Sequence, residues 1–288
     1  MVFLNGKFLP IEQATVPVLD RGFIFGDGVY ELVPVYSRVP FRIDEHLRRL
    51  ERSLAEVRIE NPYSVAQWKE IIARLIAEQA FEDQGIYFQV TRGVAKRDHA
   101  FPKDAAPTVF IMSNPLVNPP RELVERGAAA VSAVDNRWLR CDIKSISLIG
   151  NCLLRQVSAD AGAAETIMFR DGKLTEASAS NVFMVKAGMI RTPAKSNLIL
   201  PGITYDVVVE LAQSARIPLE FGEIAETELR AADELWVTSS SKEVLAIVRL
   251  DGKPIGDGKP GAVFRRMYQL YQEFKHQVMR AGKQAVAA

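Results

Sequence analysis

A single lysine interrupts an apolar run at residues 137–151, RWLRCDIKSISLIGN. Trp138, Leu139, Cys141, Ile143, Ile146, Leu148 and Ile149 leave little charge around Lys144. Lysine is among the side chains least often fully buried, and burial disfavours its ammonium form. A neutral amine attacks carbonyl carbon, so Lys144 is a candidate Schiff-base lysine. Taken alone, Ile143–Ile146 reads equally as a half-exposed strand with Lys144 on its wet face. A second candidate is Glu176, in LTEASASNVF. A carboxylate beside a pyridine nitrogen keeps that ring protonated and able to accept electrons, whereas an exposed turn glutamate needs no such role.

Three features suit an anion. In LPGITYDVV a Pro-Gly turn runs straight into a helical pattern, so the N–H groups of Ile203 and Thr204 open a helix N-terminus. Ser239 and Ser240 lie in VTSSS, just past a strand-like run. Arg49 lies on a helical stretch that follows Asp44. Each has an ordinary alternative: a plain helix start, a serine turn, a solvated arginine. GFIFGDG does not match the dinucleotide glycine pattern, and no phosphate-loop motif occurs. The three histidines, His46, His99 and His276, are far apart and lack metal-ligand spacing, so no metal is expected.

The elements that must carry these residues alternate between strand and helix patterns. FLNGKFLP reads as a hairpin turning at Asn5-Gly6, and ELVPVYSRVPFRI as strand. Asp44 is expected to cap a helix through about Val57, with Leu47, Leu50, Leu54 and Val57 on one face. Residues 64–80 read as a second amphipathic helix, then IYFQVTRG and PTVFIMS as strands. The prolines of SNPLVNPP mark a break near residues 114–121. Beyond it, AAAVSAV reads as strand, LIGNCLLRQVSADAGA as helix, and TIMFRDGKLTE and NVFMVKAGMIRT as hairpins. ITYDVVVELAQSA reads as helix, ELWVTSS as strand, VLAIVRLDGKPI as hairpin and residues 261–281 as one long helix. The AVAA tail is expected to fray. This gives a mixed α/β chain of two domains, residues 1–117 and 118–288.

Composition excludes several classes. The 288 residues are 48% hydrophobic and 25% charged with a formal net charge of +1, which gives no pull toward nucleic acid or anionic lipid. No apolar run approaches the roughly 20 residues of a membrane span, and MVFLNGKFLP lacks the pattern of a signal peptide. Two cysteines, Cys141 and Cys152, without a CxxC motif suit a reducing cytoplasm.

The segments DRGFIFGDGVYE, IYFQVTRGVAKRDHAFP, RWLRCDIKS, TEASASNVF, LPGITYDVV and WVTSSS occur in that order. Together, and over nearly the whole chain, they resemble the fold-type IV pyridoxal 5'-phosphate (PLP) enzymes, and within them the D-amino acid aminotransferases. The resemblance implies a small N-terminal α/β domain and a larger C-terminal pseudo-barrel domain that binds PLP. It implies that Lys144 carries the cofactor and moves the proton, and that Glu176 partners the pyridine nitrogen. Arg49, Ile203, Thr204, Ser239 and Ser240 match the phosphate seat. Tyr30, Arg97 and His99 match the trap for the substrate α-carboxylate. The implied reaction moves the amino group of a D-amino acid, of D-alanine type, to a 2-oxo acid such as 2-oxoglutarate. A homodimer is implied as well, with the Arg97–His99 loop reaching the neighbouring site. Rival readings within the fold are a branched-chain L-aminotransferase and an aminodeoxychorismate lyase. The former typically carries a tyrosine five residues after the lysine, where this chain has Ile149, and both lack the Arg97-Asp98-His99 pattern. A cofactor-binding protein without catalysis is the reading from a different class.

Overall fold

A computed structural model of the chain describes residues 1–281; the AVAA tail lies outside the described residues. The chain divides into two compact units. The first holds Met1–Val117, Ile143–Leu148 and, among the described residues, 279–281. The second holds Asn118–Asp142 and Ile149–Val278.

In the first unit the elements are β1 (Val2–Leu4), β2 (Lys7–Leu9), α1 (Arg21–Phe25), β3 (Gly28–Tyr36), β4 (Val39–Pro40), α2 (Ile43–Glu56), α3 (Val65–Ala77), β5 (Gln84–Thr91) and β6 (Thr108–Pro115). The strands form one antiparallel sheet in the order β2-β1-β6-β5-β3-β4. Val29, Val33, Ile86, Phe88, Val90, Val109 and Ile111 alternate along the strands and meet Leu47, Leu50, Leu54, Trp68, Ile72 and Leu75 of α2 and α3. Helix α3 starts on a reciprocal capping box between Ser64 and Gln67. Helix α2 starts differently from the expectation. Its cap is Arg42 in a left-handed conformation, and Asp44 sits within the first turn, where it favours the helix dipole and pairs with Lys69 at 2.6 Å. The five-residue α1 carries no sequence signal, because a helix so short does not stand on its own propensity. It is held by Asp20, whose carboxylate accepts from the Gly22 N–H at 2.8 Å, and it ends at Gly26 with φ of 65°.

In the second unit the elements are α4 (Arg121–Arg126), β7 (Ala128–Val134), α5 (Ile149–Asp160), β8 (Glu165–Arg170), β9 (Lys173–Ala177), β10 (Asn181–Lys186), β11 (Met189–Thr192), α6 (Ile203–Ser214), β12 (Leu219–Phe221), α7 (Glu226–Arg230), β13 (Glu234–Ser239), β14 (Glu243–Leu250), β15 (Lys253–Pro254) and α8 (Ala262–Phe274). The sheet runs β12-β11-β10-β13-β14-β7-β8-β9, with β15 on β14, and mixes parallel and antiparallel pairs. It is the pseudo-barrel of the fold. One apolar cluster gathers Ile167, Phe169, Val182, Met184, Val237, Leu245 and Ile247, while Phe183 stacks on Trp236 and leans on Tyr205. The long C-terminal helix is shorter than expected. It gives way at Lys275–Met279 to a wider π turn, where the buried Lys275 ammonium pairs with Glu243 and donates to Asn118 at 2.8 Å.

Candidate active site

The first unit gathers Lys144 with five polar side chains. Lys144 lies in an irregular segment, not in a strand, and the Ile143–Leu148 stretch joins this unit through its backbone. The Tyr30 N–H donates to the Lys144 carbonyl at 2.9 Å, and the Ile146 N–H donates to the Gly28 carbonyl at 3.0 Å. The Lys144 N–H donates to Ser53 Oγ at 3.3 Å. Its side chain is half-buried and places Nζ 4.0 Å from the centre of the Tyr30 ring. On the same strand Glu31 points to the opposite face and is fully buried. Arg49 donates to it from Nε at 2.6 Å and from Nη2 at 2.8 Å, and His46 Nδ1 lies 2.8 Å from it. His46, Arg49 and Ser53 are spaced i, i+3, i+7 and so form a polar edge along the otherwise apolar inner face of α2. Burial pushes the Glu31 carboxyl up, but the Arg49 charge and the bonds from Arg49 and His46 outweigh it and hold it well below 4.5. Burial lowers His46 below 6.5, against the bond and charge of Glu31. The solvated reading of Arg49 is therefore excluded.

Arg97 and His99 stand on an exposed loop and both approach the Phe25 ring, at 5.4 Å and 5.6 Å. Tyr30 instead contacts Lys144 and Tyr87. The loop is anchored by Arg21, which is 3% exposed. Arg21 Nη1 donates to the Asp98 carbonyl at 2.5 Å, and its Nε donates to Asp27 at 2.7 Å. Arg92 clamps the same Asp27 at 2.8 and 2.9 Å. This buried pair of arginines on one carboxylate gives the loop a fixed base.

The second unit holds the other cluster. Glu176 lies within β9, not in an exposed turn, and is 5% exposed. Its Oε1 accepts from Arg137 Nη1 at 2.7 Å. Its Oε2 accepts from the Leu200 N–H at 3.0 Å and from Asn181 Nδ2 at 3.3 Å. Arg137 is shared, because it also donates to Asp135 at 2.9 Å through both Nε and Nη2. Burial pushes the Glu176 carboxyl up to about 7, against Arg137 and the Leu200 N–H, and the Asp135 charge adds to the rise.

Asn181 also donates to the Leu200 carbonyl at 2.9 Å, so the carboxyl is fastened to the start of α6. That start is open: Gly202 is the cap and offers no side chain to the first-turn N–H groups of Ile203 and Thr204. Any larger residue there fails, since a Cβ on Gly202 would lie 2.2 Å from Asn181 Oδ1. Asn181 is the register partner of Thr238, next to Ser239. Ser239 and Ser240 are half-buried at the end of β13, and the Lys242 N–H donates to Ser239 Oγ at 3.1 Å. Within this unit, then, Glu176 is tied through Leu200 and Asn181 to the start of α6, and Asn181 pairs in register with Thr238, the residue before Ser239 and Ser240. An uncapped helix start, flanking hydroxyls and a buried carboxyl near neutral pKa fit a phosphorylated pyridine.

Several participants were not read as functional from the sequence. Glu31 and His46 share Arg49, Arg137 and Asp135 hold Glu176, and Arg21 and Asp27 hold the loop. Most lie inside the quoted motifs. Glu31 had a usable signal: it is the one charge in the buried strand GVYELVPVY.

The fold and these clusters fit an aminotransferase. A model of the class IV aminotransferases matches residues 28–250, and the chain belongs to that family. It is 37% identical over 273 residues to a D-alanine aminotransferase of Staphylococcus epidermidis, covering 95% of this chain and 97% of the relative. It is 38% identical to the D-alanine aminotransferase of Bacillus licheniformis, covering 94% and 95%. Among solved structures it is similar to the branched-chain amino acid aminotransferase of Escherichia coli, with a TM-score of 0.89 at 24% identity over 99% and 96% of the two chains. The branched-chain aminotransferase of Thermoproteus uzoniensis, solved with norvaline, gives 0.88 at 24% identity over 98% and 95%. At that identity the structural likeness shows the fold alone. No helix among the described residues is long and apolar enough to cross a membrane.

Proposed function

We propose that the protein is a PLP-dependent transaminase that moves the amino group of a D-amino acid, of D-alanine type, to a 2-oxo acid such as 2-oxoglutarate, giving pyruvate and D-glutamate. The observation that carries the reading is the buried Glu176 carboxyl, fastened through Leu200 and Asn181 to the open start of α6. One element thereby joins a partner for a pyridine nitrogen to a seat for a phosphate. The D-alanine aminotransferases at 37–38% identity support the substrate class.

Bound PLP supplies an electron-accepting ring that stabilises negative charge at the substrate Cα. Lys144 would hold the cofactor through Nζ, and its amine would serve as the base at that carbon. The contact of Nζ with the Tyr30 ring, 4.0 Å to its centre, holds the amine in place. Glu176 keeps a proton on the pyridine nitrogen; a cationic ring would draw the carboxyl down from about 7 into its charged form. Arg49, Ile203, Thr204, Ser239 and Ser240 hold the phosphate. Arg97 grips the substrate carboxylate in a two-point contact, with His99 and Tyr30 as further donors, and so fixes which Cα hydrogen faces Lys144. In this reading residues 1–117 and 118–288 are the two domains, and the Arg97–His99 loop serves the site of the second subunit of a homodimer.

The test is a coupled assay for pyruvate formed from D-alanine and 2-oxoglutarate, run beside L-alanine and L-leucine. D-alanine turnover well above both L substrates is expected. Preference for L-leucine would replace the D assignment by a branched-chain one. No turnover with cofactor bound would leave a binding protein.

A further inference from the structure

Outside the groups assigned so far, the second unit contains a fully buried carboxylate with five donors. Glu165, the first residue of β8, is 0% exposed. It accepts from the Ser178 hydroxyl, from Ser180 Oγ at 2.8 Å, from the Ala179 N–H at 3.2 Å and from its neighbour Thr166 N–H at 3.1 Å. The fifth donor is the Lys242 ammonium at 3.1 Å. Ser178, Ala179 and Ser180 form the link between Glu176 on β9 and Asn181 on β10. Lys242 follows the Ser239–Ser240 turn. One carboxylate therefore ties the strand end that carries the pyridine partner to the turn that carries the phosphate hydroxyls.

Lys242 is held at both ends. Its ammonium is fixed by Glu165, and its backbone N–H donates to Ser239 Oγ at 3.1 Å. Ser239 Oγ in turn lies 3.4 Å from Ser241 Oγ. A serine turn needs only its own backbone bonds to close. A buried ion pair beneath it is a poor source of net stability, since desolvation offsets most of the attraction. Such a pair does fix geometry, because the buried carboxylate leaves the lysine one place to go.

We propose that Lys242, seated on Glu165, is a positioning residue that sets the Ser239–Ser240 turn to receive a phosphate monoester. The proposal rests on the reading of Ser239 and Ser240 as phosphate contacts, and it assigns Lys242 no contact with the cofactor. It commits to selectivity: the pair matters for the phosphate end of the ligand and not for its pyridine end.

The experiment titrates cofactor-depleted protein with PLP and, separately, with pyridoxal, which lacks the phosphate, and follows absorbance. Lys242→Met leaves Glu165 buried and unpaired, so the double variant Glu165→Gln/Lys242→Met, which removes both charges, is measured beside it. In both, the affinity for PLP is expected to fall by about tenfold or more, the scale of one well-made polar contact. The affinity for pyridoxal is expected to stay within about twofold, below what a single polar contact is worth. Lys242→Arg, which keeps the charge, is expected to restore most of the PLP affinity. Parallel losses for both ligands would show that the pair supports the fold, and unchanged affinities would show that it does not act on the turn; either result overturns the proposal. A wild-type protein that binds PLP no more tightly than pyridoxal would instead remove the phosphate seat on which the proposal stands.

Discussion

Two glutamates, one in each unit, are both buried against an arginine, yet their acidities move in opposite directions. Glu31 is held well below 4.5, and Glu176 is raised to about 7. Burial raises both, so the cations decide the outcome. Arg49 meets Glu31 with two N–H groups, and His46 adds a third contact. Arg137 gives Glu176 one N–H and directs two at Asp135, whose own charge then opposes ionisation of Glu176. A carboxylate clamped by two N–H groups of one arginine makes a fixed anion, suited to holding other groups in place. A divided arginine leaves a carboxyl poised near neutrality, which is what a partner that exchanges influence with a ring nitrogen requires.

The largest expected effect comes from breaking the Glu31–Arg49 pair. Glu31→Ala removes the buried carboxylate that Arg49 grips with two N–H groups and that lies 2.8 Å from His46 Nδ1. A loss of about 3–5 kcal/mol is expected, the range for removing one partner of a buried ion pair. Urea unfolding followed by fluorescence reads it; a loss below about 1 kcal/mol, the level of an exposed pair, would deny Glu31 its anchoring role.

The divided pair is tested through pH. Folded Glu176 holds a proton up to about 7, while the unfolded side chain releases it near 4.5. The stability it contributes is complete below the unfolded value and is lost as pH rises through about 7. Measured without added cofactor, wild type is expected to lose up to about 3 kcal/mol relative to Glu176→Gln between pH ~5 and ~8. The first unit carries the opposite dependence. Burial depresses His46 in the folded state, so its contribution is present above 6.5 and is lost as pH falls below it, on the acid side, while Glu176 acts on the alkaline side. Parallel pH profiles for wild type and Glu176→Gln would contradict the assigned acidity.

Arg97 extends the contrast to an arginine on an exposed loop. Arg97→Ala is expected to raise KM for D-alanine and for the 2-oxo acid together by one to two decades, from a lost charge-assisted contact of about 1.5–3 kcal/mol. An amine without a carboxylate, such as 1-phenylethylamine, should be unaffected where it reacts at all. Equal losses on both substrates would assign Arg97 to structure. The smallest effect is expected at the Glu122–Arg126 pair of α4, where both side chains are more than two-thirds exposed and 2.8 Å apart. Glu122→Ala should shift stability by less than about 0.5 kcal/mol in the same urea assay.

The sequence by itself determined much of this protein. Periodicity marked most strands and helices, because alternation and the i, i+3, i+4 pattern are local consequences of burying one face. Six short motifs in order led to the family and to Lys144 and Glu176. Tertiary structure decided what local patterns cannot encode. It placed Lys144 in an irregular segment hydrogen-bonded to β3, although the lysine lies 114 residues after Tyr30 by the numbering of the chain. It replaced the expected Asp44 cap by Arg42, and it held a five-residue helix that propensity alone would not form. Above all it decided the two acidities. A glutamate in VYEL and a glutamate in LTEA are the same chemical group, and the groups that distant parts of each unit bring to them decide their acidities: Arg49 and His46 hold Glu31 low, while burial and the Asp135 charge raise Glu176.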